Sequence, residues 1–243
     1  MTVVRPTTVE PSPFDSGHYG RRVGRLDLGT DAPDRAILAA REAGYEVLFA
    51  RAAAEDPARR YLEQRGLPVL DTLVTSTLSP TAPAAEAGLD VEVRASAVIT
   101  DAALLEAIEA LTARSITRSH LHADPRLPSA QTQALFSAWA RNDASGRAAR
   151  TFTAWLGGEF VGYLAALATP DASVVDLVAV EAAARGRGVG TALLDAFVGW
   201  ARTRPPPATV GTQADNPALR LYARRGFVPT RTDLTYHLWL VDP

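Results

Sequence analysis

The spacing of apolar positions changes along the chain between a period of two and a period of three to four residues, which predicts both strands and helices. Runs rich in β-branched residues predict strands over residues 21–28, 45–50, 69–78, 91–99, 151–156, 159–168, 174–180, 208–213 and 234–241. Helical spacing, with Gly, Asn or Pro near the ends, predicts helices over residues 33–43, 56–65, 101–112, 129–142 and 218–225, and one directly after Gly190. This mixture of elements favours an α/β (α+β) fold.

The predicted elements fall into two unequal parts. Residues 79–88 are rich in proline and alanine, which is typical of a linker. We therefore expect a small N-terminal α/β region over residues 1–85 and a larger domain over residues 86–243.

Composition and charge narrow the possible functions. The 243 residues are 47% hydrophobic and carry a formal net charge of -2, which argues against a nucleic-acid-binding surface. The absence of cysteine excludes disulfides, zinc–thiolate sites and a cysteine acyl-enzyme. No apolar run is long enough for a membrane span, and the N-terminus has no signal-peptide core. We expect a cytoplasmic protein that does not bind membranes.

A glycine-rich loop after the predicted strand at residues 174–180 is the strongest candidate for chemistry. Its residues are Arg185, Gly186, Arg187, Gly188, Val189, Gly190 and Thr191. Glycines allow close backbone approach, and the helix start offers unpaired N–H groups, so the loop predicts a pyrophosphate site flanked by two arginines. A P-loop is excluded because the chain contains no lysine, and Thr191 occupies the third glycine position of the dinucleotide fingerprint. A tight turn without a ligand remains an alternative.

A second motif follows the predicted strand at residues 208–213. Asn216 and Pro217 are typical of a helix start, and Gly226 is typical of a helix end. Tyr222 lies on the helix between them.

These two motifs together resemble those of the GNAT family of N-acetyltransferases. Arg185-x-x-Gly188-x-Gly190 resembles the family's acetyl-CoA loop, and residues 216–227 resemble its signature N-x-x-A-x-x-x-Y-x-x-x-G-F, with the alanine two places after Asn216. The element order from residue 91 onward is also similar. The resemblance implies the GNAT fold, with a mixed central sheet whose parallel strands at residues 174–180 and 208–213 splay apart. The smaller N-terminal region is then either a degenerate GNAT half, a dimer interface or a wall of the acceptor pocket.

The same resemblance implies acetyl-CoA as co-substrate and no metal. The residues that it assigns to acetyl-CoA are Val178, Ala179, Val180, Arg185, Gly186, Arg187, Gly188, Val189, Gly190, Thr191, Asn216 and Tyr222. A backbone N–H near Val178 is expected to polarise the thioester carbonyl. Tyr222 is expected to protonate the CoA sulfur, although its helical spacing also fits a core aromatic. For Asn216, a helix-capping role alone is an alternative.

Asp176 is the candidate base that accepts the proton of the amine. Given a two-residue period, it is expected to share a strand face with Val174, Val178 and Val180. Two alternatives remain: a strand charge that faces solvent, or a water molecule as the base.

The segment at residues 119–142 is similar to the GNAT branch that acetylates dTDP-4-amino-4,6-dideoxy sugars, the dTDP-fucosamine acetyltransferase branch. His120 and Leu121 stand where that branch has Arg and Phe. The resemblance implies a small-molecule amine as acceptor, with His120, His122 and Trp139 as substrate residues. The histidines either bind the nucleotide sugar or act as proton acceptor. Trp139 also fits the core, because Phe136 lies three positions before it.

Several alternatives stay open at this stage. His120, His122 and Asp124 have a spacing that can chelate a metal, although the chemistry needs none. Arg147 and Arg150 either meet acceptor phosphates or are solvated charges. The acceptor could instead be an antibiotic, amino acid or peptide amine, and a non-catalytic acyl-CoA-binding module is the alternative from another class. A homodimer is one arrangement open to the chain.

Overall fold

The computed structural model describes residues 5–29, 33–82, 90–204 and 207–241. The chain divides into two compact units, each built from separate stretches of sequence. Unit 1 comprises Met1–Leu73, Arg118–Leu135 and Arg231–Pro243, and unit 2 comprises Val74–Thr117 and Phe136–Thr230. The predicted linker lies outside the described residues from residue 83 to residue 88. The division into 1–85 and 86–243 stays a prediction.

Strands and helices follow one another along the chain as the mixed apolar periods predicted. The strands are β1 (Thr8–Pro11), β2 (Val23–Asp27), β3 (Val47–Ala53), β4 (Asp71–Leu78), β5 (Glu92–Ser96), β6 (Arg150–Leu156), β7 (Glu159–Ala168), β8 (Ser173–Val180), β9 (Ala208–Gln213) and β10 (Phe227–Trp239). The helices are α1 (Pro13–Tyr19), α2 (Asp34–Glu42), α3 (Arg59–Glu63), α4 (Ala102–Ser115), α5 (His120–Ala123), α6 (Ser129–Asn142), α7 (Val189–Ala201) and α8 (Ala218–Arg224).

In unit 1 the strands lie in the order β1-β2-β3-β10-β4. β2 and β3 are parallel, whereas β1 is antiparallel to β2 and β10 is antiparallel to β3. The core of this unit is formed by fully or nearly fully buried side chains that include Leu26, Leu48, Leu62 and Tyr236. Most of these positions were expected to be apolar strand or helix positions.

In unit 2 the strands lie in the order β4-β9-β8-β7-β6-β5. β5 to β8 pair antiparallel, and β8 and β9 are parallel, so the sheet is mixed as predicted. Leu193 and Phe197 of α7 pack on one face of this sheet with Phe152 and Val175. On the other face, the hydroxyls of Thr112 on α4 and Tyr163 on β7 are 2.7 Å apart.

Several features differ from the expectation, and β1 and α1 were not predicted at all. The strand predicted at residues 234–241 is the second half of β10, whose first half contains Pro229 and several polar residues that hid it. The segment expected to be an irregular loop contains α5, which is capped by the side chain of Ser119. A π-helical turn at Asp143–Arg147 extends the end of α6. Within the described ranges, none of the helices is both long enough and apolar enough to span a bilayer.

Candidate active site

The glycine-rich loop joins β8 to α7 in unit 2. A short 3₁₀ turn (Ala182–Ala184) follows β8, and Gly186 and Gly188 then adopt φ values of 76° and 82°. Both values lie in the left-handed region that favours glycine. Gly188 is the N-cap of α7, and no side chain caps this helix. The N–H groups of its first turn therefore remain without an intrahelical partner, at the end where the helix dipole favours an anion.

The side chains of the loop leave this helix start accessible. Arg185 and Arg187 are exposed, and the Arg185 Nε donates to the Val180 carbonyl at 3.3 Å. Gly190 allows α7 to lie close to α8, because a Cβ there would approach Leu221 Cδ2 to 3.1 Å. Two cations thus flank a set of backbone N–H donors, which suits a pyrophosphate.

β8 and β9 splay apart beside this loop. Their parallel register pairs Ser173 with Ala208 and ends where Val175 pairs with Val210. β8 nevertheless continues to Val180, and β9 continues to Gln213. The second half of each strand therefore diverges from its neighbour, which confirms the predicted splay.

β8 also carries a β-bulge at Asp176, where the splay begins. Leu177 pairs with Ala165 of β7, but Val175 pairs with the next residue of that strand, Ala166. Asp176 is therefore the extra residue without a partner on β7. Bulges of this kind re-aim side chains and are over-represented next to active sites.

The bulge changes which β8 side chains share a face. The prediction that Asp176 lies on the same face as Val178 and Val180 is therefore wrong. Val178 and Val180 pack against the core beneath α7. Val174, which pairs with Leu167, lies on the opposite face, and the Asp176 side chain points to α6 on that side. The strict two-residue period fails because one residue is inserted in the strand. Ala179 is buried, with 5% of its surface exposed.

Tyr222 lies on α8 and its ring is part of the core of unit 2. The residue is 5% exposed, and its ring centroid is 6.3 Å from that of Phe227. Burial raises the pKa of the Tyr222 phenol to about 12, so the hydroxyl is protonated at neutral pH. Within the described residues no hydrogen bond to this hydroxyl is formed. The ring is thus a core aromatic, and the role of the hydroxyl as an acid stays a prediction.

Asn216 begins the turn that leads into α8. Its side-chain Oδ1 accepts the backbone N–H of Ala218 at 2.9 Å. The helix-start role expected from the sequence is therefore present, and contact with acetyl-CoA stays a prediction.

The side chain of Asp176 is enclosed. The alternative that it is a strand charge facing solvent is therefore wrong. Only 14% of it is exposed. Its Oδ2 accepts the Trp139 indole N–H at 2.7 Å and an Arg147 guanidinium N–H at 2.6 Å. Trp139 in turn stacks on Phe136, with ring centroids 5.8 Å apart. Arg147 is thus ion-paired within unit 2, whereas the role of Arg150 stays open.

Asp143 completes this cluster and was missed by the sequence reasoning. Its side chain is fully buried, and the Arg147 Nε lies 3.1 Å from Oδ1. Burial, followed by the negative charge of Asp176, raises the pKa of Asp143 to about 8, against the opposing effect of Arg147. The sequence Asn-Asp-Ala-Ser-Gly is typical of an exposed turn, so no signal indicated that the π-helical turn would bury this carboxyl.

A chain of hydrogen bonds in unit 1 contains His120, one of the three predicted substrate residues. His120 Nδ1 lies 2.7 Å from His237 Nε2, and His237 Nδ1 lies 2.6 Å from Asp124 Oδ2. The same carboxylate oxygen accepts the Trp239 indole N–H at 2.9 Å. His237 was missed, although a histidine between the apolar residues Tyr236 and Leu238 of a predicted strand is a signal that could have found it.

The metal-site alternative does not fit these contacts. His120 and Asp124 both hydrogen-bond His237, whereas His122 Nδ1 lies 2.8 Å from the Ser119 hydroxyl. Within the described residues there is no group of three His, Asp or Glu side chains that could hold a metal ion.

The sequence profile described as the Acetyltransferase (GNAT) family matches residues 106–227, which is half of the chain. The chain belongs to the GNAT family. It is therefore an acyltransferase of a family that uses acetyl-CoA as co-substrate. The matched range contains β8, the glycine-rich loop, α7, β9 and α8, which together form the candidate donor site.

One relative of this GNAT protein is named for the biosynthetic process in which it takes part. The chain is 36% identical over 136 residues to the spore coat polysaccharide biosynthesis protein SpsD of Bacillus subtilis (strain 168). The match covers 55% of this chain and 47% of SpsD, so it spans about half the length of that relative.

Solved GNAT structures share the fold at low sequence identity. A GCN5-related N-acetyltransferase from Sphaerobacter thermophilus has a TM-score of 0.60 and 16% identity, over 93% of this chain and 75% of that one. A tandem GNAT protein from the clavulanic acid biosynthesis pathway has a TM-score of 0.56 and 16% identity, over 91% of this chain and 76% of that one.

Proposed function

We propose that this protein transfers the acetyl group of acetyl-CoA to the primary amine of a nucleotide-linked 4-amino-4,6-dideoxy sugar. The transfer is direct, within a ternary complex of enzyme, acetyl-CoA and amine. The observation that carries the sugar acceptor is the 36% identity to a protein named for polysaccharide biosynthesis. The similarity of residues 119–142 to the amino-sugar branch of the family supports the same acceptor.

The donor side of the proposal is supported by the loop and the splay. The uncapped start of α7, with Arg185 and Arg187 beside it, suits the pyrophosphate of CoA. From Val178 to Val180, β8 pairs with β7 but not with β9, and the edge that faces β9 suits the pantetheine arm and the thioester carbonyl. Asn216 lies at the start of α8 and would meet the same arm.

Two residues have proposed roles in the transfer. Tyr222 gives its proton to the CoA sulfur as the carbon–sulfur bond breaks, and its raised pKa keeps that proton in place until then. Asp176 lies at the bulge, is held by Trp139 and Arg147, and accepts the proton of the amine either directly or through a water molecule. Direct transfer agrees with the lack of any cysteine that could carry the acetyl group.

The N-terminal region has a proposed origin. The likeness in fold to a tandem GNAT protein extends over 91% of the chain. This supports the proposal that residues 1–85 are a degenerate GNAT half.

The experiment measures thiol release from acetyl-CoA with a panel of amines. The panel holds dTDP-4-amino-4,6-dideoxyhexoses, aminoglycosides, amino acids and peptide N-termini. We expect turnover with the amino-sugar nucleotides and intersecting lines in double-reciprocal plots at varied acetyl-CoA. Turnover with another amine only would remove the sugar acceptor, and parallel lines would remove direct transfer.

A further inference from the structure

Two carboxyl groups meet at the β8 bulge, on the side of the unit 2 sheet that α6 covers. Asp176 supplies one of them, and its Oδ2 accepts N–H groups from Trp139 and Arg147. Asp143 supplies the other from the π-helical turn after α6, and its side chain is fully buried. A hydrogen bond joins the two carboxyls. Because an ionised carboxyl can only accept hydrogen bonds, one of the two must carry a proton.

The contacts of Asp143 indicate that it is the member of the pair that holds this proton. Neither of its oxygens accepts a hydrogen bond from the described residues, because the Arg147 Nε lies 3.1 Å from Oδ1 but does not direct its N–H at that oxygen. A buried carboxylate without such bonds is costly, whereas a carboxylic acid that donates to Asp176 is satisfied. Burial, followed by the negative charge of Asp176 and the hydrogen bond between the two carboxyls, raises the pKa of Asp143 to about 8, against the opposing effect of Arg147.

The charges of this cluster balance while Asp143 is protonated. The charged groups that act on Asp143 are Asp176 on β8 and Arg147 of its own turn. From β7 the phenol of Tyr163 faces the same cluster. Burial, followed by the charges of Asp143 and Asp176, raises the pKa of this phenol, against the opposing hydrogen bond with Thr112, so the phenol is neutral. One guanidinium and one carboxylate therefore leave no net charge.

Asp176 is the member of the pair that a substrate can reach. Its side chain is 14% exposed, and both N–H groups that it accepts bond Oδ2. Among the described residues, Oδ1 is not one of the fully enclosed polar atoms that lack a partner. Asp176 directly follows Val175, where the parallel register of β8 with β9 ends. The open oxygen thus belongs to the residue at which the donor strands begin to diverge.

We infer that Asp143 and Asp176 share one proton, which the ammonium group of the acceptor displaces when it binds and returns during the transfer. Asp176 contacts the amine, and Asp143 acts through Asp176 as a positioning residue. Because the ammonium group belongs to the proposed acceptor, this assignment rests on the proposed function. A cation within about 4–6 Å lowers the pKa of a carboxyl by about 1–3, which suffices to release the proton of Asp143 near neutral pH. Two carboxylates then face two cations, and the charges balance again.

The protons balance over one catalytic cycle. On binding, the ammonium group takes the place of the shared proton, which leaves to solvent. The ammonium N–H bond then breaks with its electron pair left on nitrogen, and the proton bonds to Asp176 and is again shared with Asp143. The amine forms the carbon–nitrogen bond while the carbon–sulfur bond breaks, and the nitrogen loses a second proton to solvent. Tyr222 protonates the leaving thiolate and is reprotonated from solvent, so the products are an amide, a thiol and one released proton.

Calorimetric titration with the acceptor counts the displaced proton. The protein, saturated with CoA, is titrated at pH 7 with a dTDP-4-amino-4,6-dideoxyhexose in buffers of different ionisation enthalpy. We expect release of about one proton per ligand bound, and a Kd that falls by up to about tenfold for each pH unit up to about pH 8. The corresponding dTDP-6-deoxyhexose has a hydroxyl in place of the amine and should bind without release of a proton.

Asp143→Asn separates a shared proton from a structural role. The amide has the shape of the protonated carboxyl and still donates to Asp176, but it has no proton to give up. Binding of the amino sugar should therefore release no proton, and kcat should fall by about 10²-fold because the pair can no longer take up the amine proton. A merely structural Asp143 would leave the proton count the same in both proteins.

Asp101→Asn is the matched control in the same unit. Asp101 is the exposed N-cap of α4, and its Oδ1 accepts the Ala103 N–H at 3.0 Å, a bond that an amide oxygen keeps. This variant should retain the proton release and the kcat of the wild type.

The outcomes separate the shared proton from the proposed function. If the wild type binds the amino sugar without releasing a proton, the shared proton is overturned even if no variant folds. Equal release with the amino and the hydroxyl ligand overturns it as well, and so does undiminished release in Asp143→Asn. Turnover of the amino sugar accompanied by any of these results leaves the proposed function in place. Absence of both binding and turnover with every amino-sugar nucleotide removes the proposed function and the displacement together.

Discussion

Trp139 donates its indole N–H to Asp176 over 2.7 Å, and this bond fixes the one residue of β8 that lacks a partner on β7. Arg147 holds the same carboxylate oxygen and also lies against the buried Asp143. A single guanidinium thus faces two carboxyl groups. The carboxyl of Asp143 is mostly protonated at neutral pH, because its pKa is raised to about 8.

The buried carboxyl of Asp143 makes stability fall with rising pH. Its pKa in the folded protein is about 8, whereas in the unfolded chain it has the ordinary value of about 4. Between these values the unfolded chain binds fewer protons, so the free energy of unfolding decreases by up to about 1.4 kcal/mol per pH unit. Asp143→Asn removes this dependence. Urea unfolding of both proteins at several pH values between about 5 and about 8 measures the difference.

Asp176→Asn provides the internal check on this prediction. Removing the negative charge beside Asp143 lowers the Asp143 pKa, so the slope should become shallower but not vanish. Equal slopes in the wild type and Asp143→Asn would contradict a neutral Asp143.

Asp124 should have the opposite effect: at acidic pH, the free energy of unfolding should rise as the pH rises. Its folded pKa is about 2, against about 4 in the unfolded chain, so its contribution is present above about pH 4 and is lost as the pH falls through about 2. Asp124→Asn should lose about 2 kcal/mol at neutral pH and show a flatter acid limb. Thermal unfolding from about pH 2 to about pH 6 tests this, and an acid limb identical to that of the wild type would refute it.

The Tyr222 hydroxyl should affect rate rather than stability. Tyr222→Phe removes an O–H without a protein partner among the described residues, so the free energy of unfolding should change by less than about 1 kcal/mol. The value of kcat should fall by about 10²-fold or more while KM for acetyl-CoA stays constant.

Tyr163→Phe is the matched control for this change. Tyr163 is fully buried and its hydroxyl bonds Thr112, so its loss should cost about 1 kcal/mol and leave kcat unchanged. If both variants turn over equally fast, Tyr222 is not the acid.

Gly188 should be needed both for the loop conformation and for acetyl-CoA. With φ at 82°, a side chain at the N-cap of α7 costs about 1 kcal/mol and turns the first-turn N–H groups. Gly188→Ala should therefore raise KM for acetyl-CoA several-fold as well as lower the melting temperature.

The hairpin glycine Gly157 separates these two effects. Its φ is 57°, also in the left-handed region, and an added Cβ would meet nothing within 4 Å. Gly157→Ala should lower stability by a similar amount with KM unchanged. A rise in KM in both variants would trace the effect to general loss of structure.

The sequence was sufficient for most of the elements and for the position of the glycine-rich loop, because apolar periods and glycines report local geometry. It was insufficient where one inserted residue changed the geometry, as at Asp176, whose bulge reversed the expected faces of Val178 and Val180. Asp143 and His237 were missed for a related reason. Their burial depends on contacts distant in sequence, with Asp176 on β8 and Asp124 after α5, that no local pattern contains.

The uncapped start of α7 has a consequence for how this enzyme behaves outside an assay. A helix that lacks a side-chain cap frays from that end, so its first amides exchange with solvent quickly when no anion covers them. A co-substrate that binds there binds only the folded state, so it raises the free energy of unfolding by about 2.7 kcal/mol when its concentration is a hundred times Kd. If acetyl-CoA binds at this helix start as we propose, the melting temperature of the protein should rise with the acetyl-CoA concentration.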